Sequence, residues 1–241
     1  MAKTACQLYI LREHEESLPK LIKAVGEAGF DGVEFAYRVD EHEPQELRGV
    51  IDRTELGVAG AHIHKDELDE HFEAVVTRNR SLGCERIVIP WLDEELFASR
   101  QAIESTGEML ESLADELADH DMALSYHNHV HEFDQVGDQS ALEHLIDVTD
   151  ERLGIQLDVG IAHAAGADPV SLLDRLDGRI PTIHFRDHSA TDAYDVVPGE
   201  GDVDLIGCAE AARAGGTEWF IYEGPDEPLA QAANAINALI D

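Results

Sequence analysis

Eight short apolar runs recur along the chain, and most intervals between them are long enough to hold a helix. The runs are ACQLYI (5–10), GVEFAY (32–37), VAGAHIH (58–64), RIVIPWL (86–92), ALSYHNH (123–129), GIQLDVG (154–160), IPTIHFRD (180–187) and EWFIYEG (218–224). Strands that alternate with helices pair in parallel and build βαβ units. Eight such units in 241 residues predict a (β/α)8 TIM barrel over residues 1–241 as one domain. An open doubly wound sheet is the alternative, but it usually has fewer strands and a Gly-rich first turn, and no GxGxxG occurs here. No low-complexity segment or Pro/Gly/Ser linker divides the chain.

The intervening segments carry helical spacing. Leu18, Leu21, Ile22 and Val25 recur at three- and four-residue steps and fall on one helix face. Gly29 and Gly83 stand where a helix must end and the chain reverse into a strand.

Composition narrows the function classes. No stretch approaches the roughly 18 apolar residues of a membrane span, and MAKTACQLYI lacks the apolar core of a signal peptide, so a cytoplasmic protein is expected. Three scattered cysteines argue against a disulfide framework or a zinc ribbon and for buried small side chains. A net charge of −34 repels phosphate backbones and anionic lipid, which disfavours nucleic-acid and membrane partners. The acidic residues are spread along the whole chain, and we take them as the solvated face of a halophilic-type protein whose self-repulsion is screened by a salty cytoplasm. Structure retained after dialysis to millimolar salt would count against that hypothesis.

Active sites of such barrels sit at the C-terminal strand ends. Eight of 13 histidines fall at those ends or in the loops just after them: His62, His64, His127, His129, His131, His163, His184 and His188. Alternation puts His62 with His64, and His127 with His129, on shared faces. Asp158 closes IQLDVG, Glu223 closes FIYEG, Glu132 follows the fifth run and His184 interrupts the seventh. A lone carboxylate at the end of a buried strand is costly unless it is paired or bound to metal. Three carboxylates and an imidazole converging from consecutive strands make an oxygen-rich divalent-metal site, better suited to Mn²⁺, Mg²⁺ or Co²⁺ than to structural Zn²⁺. Each residue has a plainer reading: Asp158 as a helix cap, His184 as a satisfied core histidine, Glu223 as a loop acid. The fifth-strand ligand stays open between Glu132 and His127 or His129.

Several stretches, YHNHVHEF, LDVGIAHAAGADPV, IHFRDH and VVPGEGDVD, resemble the sugar phosphate isomerase/epimerase family, the xylose isomerase-like TIM barrels that also include apurinic-site endonucleases. The resemblance runs from GFDGVEF to IYEGP. It implies a metal held by Glu132, Asp158, His184 and Glu223, with Mn²⁺ first and Mg²⁺, Co²⁺ or Zn²⁺ as alternatives. It also implies that Glu132 and Glu223 exchange a proton on carbon beside a carbonyl that the metal polarises, with an enediolate between. Arg186 stands where many relatives carry lysine and offers a planar fork instead of a point charge. His62, His64, His127, His129 and Arg186 are expected to bind substrate. Gly199 and Gly201 are expected to shape a rim loop, without the lysine and Gly-rich helix start of a phosphate cradle.

The leading expectation is a metal-dependent isomerase or epimerase of a sugar or polyol ketone. A dehydratase or lyase of a keto-cyclitol or 3-keto-sugar on the same scaffold is the alternative, since both begin with the same proton abstraction. The nuclease reading fares worse. Those enzymes place a histidine three positions after the sixth-strand aspartate, where this chain has Ile161, and an Asp-x-His pair where it has Ala193 and Asp195. A homo-oligomer is left open, since barrels of this type often pair and one chain shows no interface.

Overall fold

Each of the eight apolar runs contributes one barrel strand. In the computed structural model, which describes residues 2–176, 178–189, 194–226 and 228–240, they are β1 (Lys3–Gln7), β2 (Gly32–Phe35), β3 (Gly57–His62), β4 (Arg86–Ile89), β5 (Ala123–His127), β6 (Leu153–Asp158), β7 (Thr182–His184) and β8 (Trp219–Tyr222). The strands are parallel and close in the order β1-β8-β7-β6-β5-β4-β3-β2, a single-domain TIM barrel.

Two runs end earlier than their apolar character suggests. After Gln7 the chain tightens into a 3-10 turn over Leu8–Leu11, because the Gln7 side chain accepts from the Tyr9 backbone N–H at 3.1 Å. β4 stops before Pro90, which has no N–H to give a ladder.

The first helices follow their sequence signals closely. α1 (Leu18–Ala28) begins after Ser17 with a proline in its first turn, buries Leu18, Leu21, Ile22 and Val25, and ends at Gly29 with φ 99°. α2 spans Pro44–Thr54, and α3 (Lys65–Leu82) closes on Gly83 with φ 77°. α4 is Arg100–Ala118. The remaining helices are α5 (Ala141–Val148), α6 (Val159–Ala164), α7 (Pro169–Arg175), α8 (Leu205–Ala214) and α9 (Leu229–Ile240). None of the described helices is long and apolar enough to cross a membrane. Cys6, Cys84 and Cys208 are buried free thiols, as their scatter suggested.

The barrel interior is divided by chemistry. At the N-terminal end Trp219 packs with Ala5, Ala59 and Ile221, and Gly32 and Gly57 make room for the indole. A Cβ on Gly32 would stand 2.6 Å from Trp219 Cζ3, so the glycine is needed for close approach rather than for a turn. Towards the other end the interior turns polar. Strand register pairs Gln7 with Glu34, His127 with Gln156, and Asp158 with His184.

Candidate metal centre at the barrel mouth

His127 ends β5, Asp158 ends β6, His184 ends β7 and Glu223 follows β8. One ligand atom from each of these four lies within 4.8 Å of all the others, close enough for a single ion to bridge. His184 is wholly buried, its Nδ1 2.5 Å from Glu223 Oε2 and its Nε2 2.7 Å from Glu34 Oε2. Asp158 Oδ1 accepts from the Ile161 N–H at 2.8 Å, so Asp158 caps α6 and still turns its second oxygen to the cluster. That Oδ2 is 2.8 Å from Arg186 Nε, an ion pair, while an Arg186 terminal nitrogen lies 2.8 Å from Glu223 Oε1. The Arg186 fork therefore bridges two of the acids.

Glu132 is buried just outside this group. Its carboxylate accepts from the Tyr126 hydroxyl and from the His129 backbone N–H at 2.8 Å, and lies 3.2 Å from His131 Nε2. The fifth-strand residue that lies within the cluster is His127, one of the options that the sequence left open beside Glu132 and His129.

Burial and neighbouring charges set the protonation states. Burial alone would lower His184, but the Glu34 and Glu223 carboxylates overturn that and raise it to about 10. Burial would raise Glu223, yet Arg186 and His184 hold it well below the usual carboxylate range. Asp158 is pushed up by burial against the pull of Arg186, and Glu132 is pushed up by burial against its bond from Tyr126. Burial keeps His127 far below the ordinary histidine value and His129 down at about 4, so both rings are neutral near pH 7.

The donor set fits a divalent ion. His127 is a neutral, wholly buried imidazole whose Nδ1 has no hydrogen-bond partner, and it stands beside two carboxylates and a second imidazole. Two nitrogens and two oxygens suit Zn²⁺, Co²⁺ or Mn²⁺ better than the all-oxygen preference of Mg²⁺.

The histidine-rich strand ends largely converge. His62, His184, His127, His129 and His131 form a continuous run of rings, each centroid 4.5–6.4 Å from the next. His163 and His188 make a separate pair at 6.4 Å. A cavity of about 270 Å³ opens onto the cluster, lined by Gln7, Tyr9, His62, Trp91, His129 and Glu223 among others, with His64 and His127 also on its wall. No lysine or arginine is among its lining residues, so Arg186 reaches the acids behind the wall instead of forming the wall itself.

The rim loop holds its shape through Asp187. This buried carboxylate accepts from the backbone of Gly199 and Gly201, each at 2.8 Å, and Gly199 has φ 92°. The expected glycine-shaped loop is thus organised by an acid in the IHFRDH stretch. Ala193, which bore on the nuclease comparison, lies outside the described residues.

Sequence reasoning passed over one buried acid. Glu34 in β2 is completely buried, with Gln7 and Gln156 donating to it at 2.6 and 2.7 Å. Its signal, a lone acid within an apolar strand, is the one that singled out Asp158. It was missed because Glu34 stands inside its run instead of at the end.

A closed parallel barrel with buried acids and imidazoles at its C-terminal mouth is the arrangement in which barrel enzymes carry their active sites. The xylose isomerase-like TIM barrel family matches residues 22–241, and the chain belongs to that family. Among curated proteins it is 25% identical to the rhizopine catabolism protein MocC of Rhizobium meliloti, over 88% of this chain and 75% of that protein. It is 24% identical to an inosose dehydratase of Lacticaseibacillus casei, over 83% of this chain and 80% of the other. Among solved structures, a sugar phosphate isomerase/epimerase from Parabacteroides distasonis superposes with a TM-score of 0.83 at 19% identity, covering 100% of this chain and 96% of that one. The IOLI protein, solved with a bound zinc atom, superposes at 0.71 and 17% identity over 98% of this chain and 96% of its own. The chain thus belongs to a barrel family whose curated relatives include an inosose dehydratase, and it shares its fold with a structure named a sugar phosphate isomerase/epimerase.

Proposed function

We propose that the protein is a metal-dependent enzyme that removes a proton from carbon beside the carbonyl of a small, uncharged sugar or polyol ketone. The observation that carries this is the convergence of His127, Asp158, His184 and Glu223 within 4.8 Å at the floor of a cavity without basic side chains. A bound divalent ion would supply Lewis-acid polarisation of a substrate oxygen. Glu223 is the base: Arg186 and His184 keep it ionised in spite of burial, and it lines the cavity. His129 and His62 face the same space and can exchange hydrogen bonds with hydroxyl groups. Cavity size and lining suit one sugar or cyclitol ring and no polymer.

The two continuations of this step place different demands on the residues. Two-base epimerisation by Glu132 and Glu223 requires Glu132 to leave Tyr126 and His129, both of which hold it outside the cluster. Elimination of a hydroxyl needs only one carboxylate base and a proton donor to the leaving oxygen, and the relative named inosose dehydratase favours it. We therefore place dehydration of a keto-cyclitol or 3-keto-sugar ahead of isomerisation. The test is to incubate Mn²⁺- or Zn²⁺-loaded protein with keto-cyclitols and keto-sugars in D₂O. Deuterium exchange beside the carbonyl is expected, with enone absorbance if a hydroxyl leaves and a product of unchanged heavy-atom composition if it does not. Absence of both exchange and product across the panel, with metal bound, overturns the proposal.

A further inference from the structure

Glu34 is an acid at the centre of the barrel, inaccessible to water, yet it lies outside the four-residue cluster that could hold an ion. Its neighbours come from four other strands. Oε2 lies 2.6 Å from Gln7 Nε2 in β1, 2.7 Å from His184 Nε2 in β7 and 3.2 Å from His62 Nε2 in β3. Oε1 is 2.7 Å from Gln156 Nε2 in β6. Gly60 leaves the room: a Cβ there would stand 3.1 Å from Oε1.

A carboxylate only accepts, so every one of these contacts fixes a hydrogen on the partner. His184 faces a carboxylate at each nitrogen, Glu34 at Nε2 and Glu223 at Nδ1, so the metal-free ring donates from both; with Nε2–H held by the buried Glu34, the proton that a ligating ion can displace is the one on Nδ1, beside Glu223. Gln156 must turn its amide nitrogen to Glu34, so its oxygen faces His62 Nε2 at 2.8 Å. His62 in turn must donate from Nε2. One buried acid therefore fixes the Nε2 hydrogens of two rings, His184 in the cluster and His62 on the cavity wall.

We propose that Glu34 is a positioning residue, an outer carboxylate that holds His184 Nε2–H so that Nδ1 is presented to a divalent ion shared with His127, Asp158 and Glu223. The proposal rests on the metal centre described above. A ligating histidine whose second nitrogen is held by a carboxylate is fixed in ring orientation, and loss of such a partner typically costs roughly 10- to 100-fold in metal affinity.

The experiment uses the full chain loaded with Zn²⁺ and does not depend on turnover. In long-range ¹H–¹⁵N spectra of histidine-labelled wild type, His184 should show a protonated Nε2 and a metallated Nδ1. Metal on Nε2 overturns the proposal. Glu34→Gln places an amide NH₂ against the donors of Gln7, His184 or Gln156. The variant should keep the circular dichroism of the metal-free protein and bind Zn²⁺ roughly 10- to 100-fold more weakly in a chelator competition. Glu34→Asp retains the charge and should recover part of that loss. Wild-type affinity in Glu34→Gln shows a merely structural role and sinks the idea. Should the variants fail to fold, the wild-type spectrum decides alone. A wild type that takes up no Zn²⁺ overturns the metal centre and this proposal together, whereas normal uptake with metal on Nε2 overturns only the role of Glu34.

Discussion

The two ends of the barrel are built from the same eight strands and solve opposite problems. At the N-terminal end one large side chain fills the tube: Trp219 sits against Gly32, Gly57, Ala5 and Ala59, a large residue enclosed by small ones. At the C-terminal end the interior is filled by Glu34, His127, Gln156, Asp158 and His184, all essentially buried, with Glu34, Gln156 and His184 hydrogen-bonded together and His127 Nδ1 left without a hydrogen-bond partner. Burying an unpaired charge costs far more than burying an indole, so the mouth must carry a partner for every acid, whereas the base needs only shape. One end maintains the tube, and the other holds in place groups that would be expelled to water if their partners were removed.

Substitutions should separate those roles. The largest effect is expected at the mouth. Glu223→Gln should cut turnover by roughly 10²- to 10⁴-fold, the usual contribution of a general base, with circular dichroism unchanged. Unchanged activity would show that the base lies elsewhere. At the other end, Trp219→Ala should cost about 3–5 kcal/mol of stability in a denaturant titration while Zn²⁺ affinity is preserved. A large loss of affinity in that variant would mean that the two ends are not independent.

A third prediction concerns protons. The metal-free protein holds His184 protonated up to about pH 10, because Glu34 and Glu223 flank it. A ligand nitrogen must be deprotonated, so binding releases that proton. Below about pH 10, Zn²⁺ affinity should rise close to tenfold per pH unit from this group, measurable by calorimetry in buffers of different ionisation enthalpy. Affinity that is flat with pH would show that His184 does not ligate through a titrating nitrogen. The smallest effect is expected for Glu132→Gln, which should leave Zn²⁺ affinity unchanged, since Tyr126 and His129 hold that acid outside the cluster. A loss matching that of Asp158→Asn would return Glu132 to the ligand set.

Much of this molecule was legible in the chain. The eight apolar runs gave the strands because each is short, apolar and followed by helical spacing, with Gly29 and Gly83 closing helices in the left-handed conformation. Asp158, His184 and Glu223 stood out as single polar residues at the ends of buried strands, and parallel closure puts such ends on one rim. Glu132 and His127 were harder to separate. Period-two alternation describes a strand and fails just beyond it, where the chain turns through a 3-10 segment at His131–Phe133 and the Glu132 side chain meets Tyr126. Glu34 was overlooked because its partners Gln7, Gln156 and His184 are scattered through the sequence and meet only across the closed tube.

Taken alone, the chain determined the alternation of strand and helix, the overall negative charge, and which polar residues lie at strand ends, since these depend on local pattern and on residue identity. Only closure of the barrel decided which imidazole joins the acids, which acid stays outside, and which atom of each ring is turned inward. Those outcomes depend on distances between side chains from non-neighbouring strands, and a hydrogen bond or ligand contact is won or lost over less than an ångström.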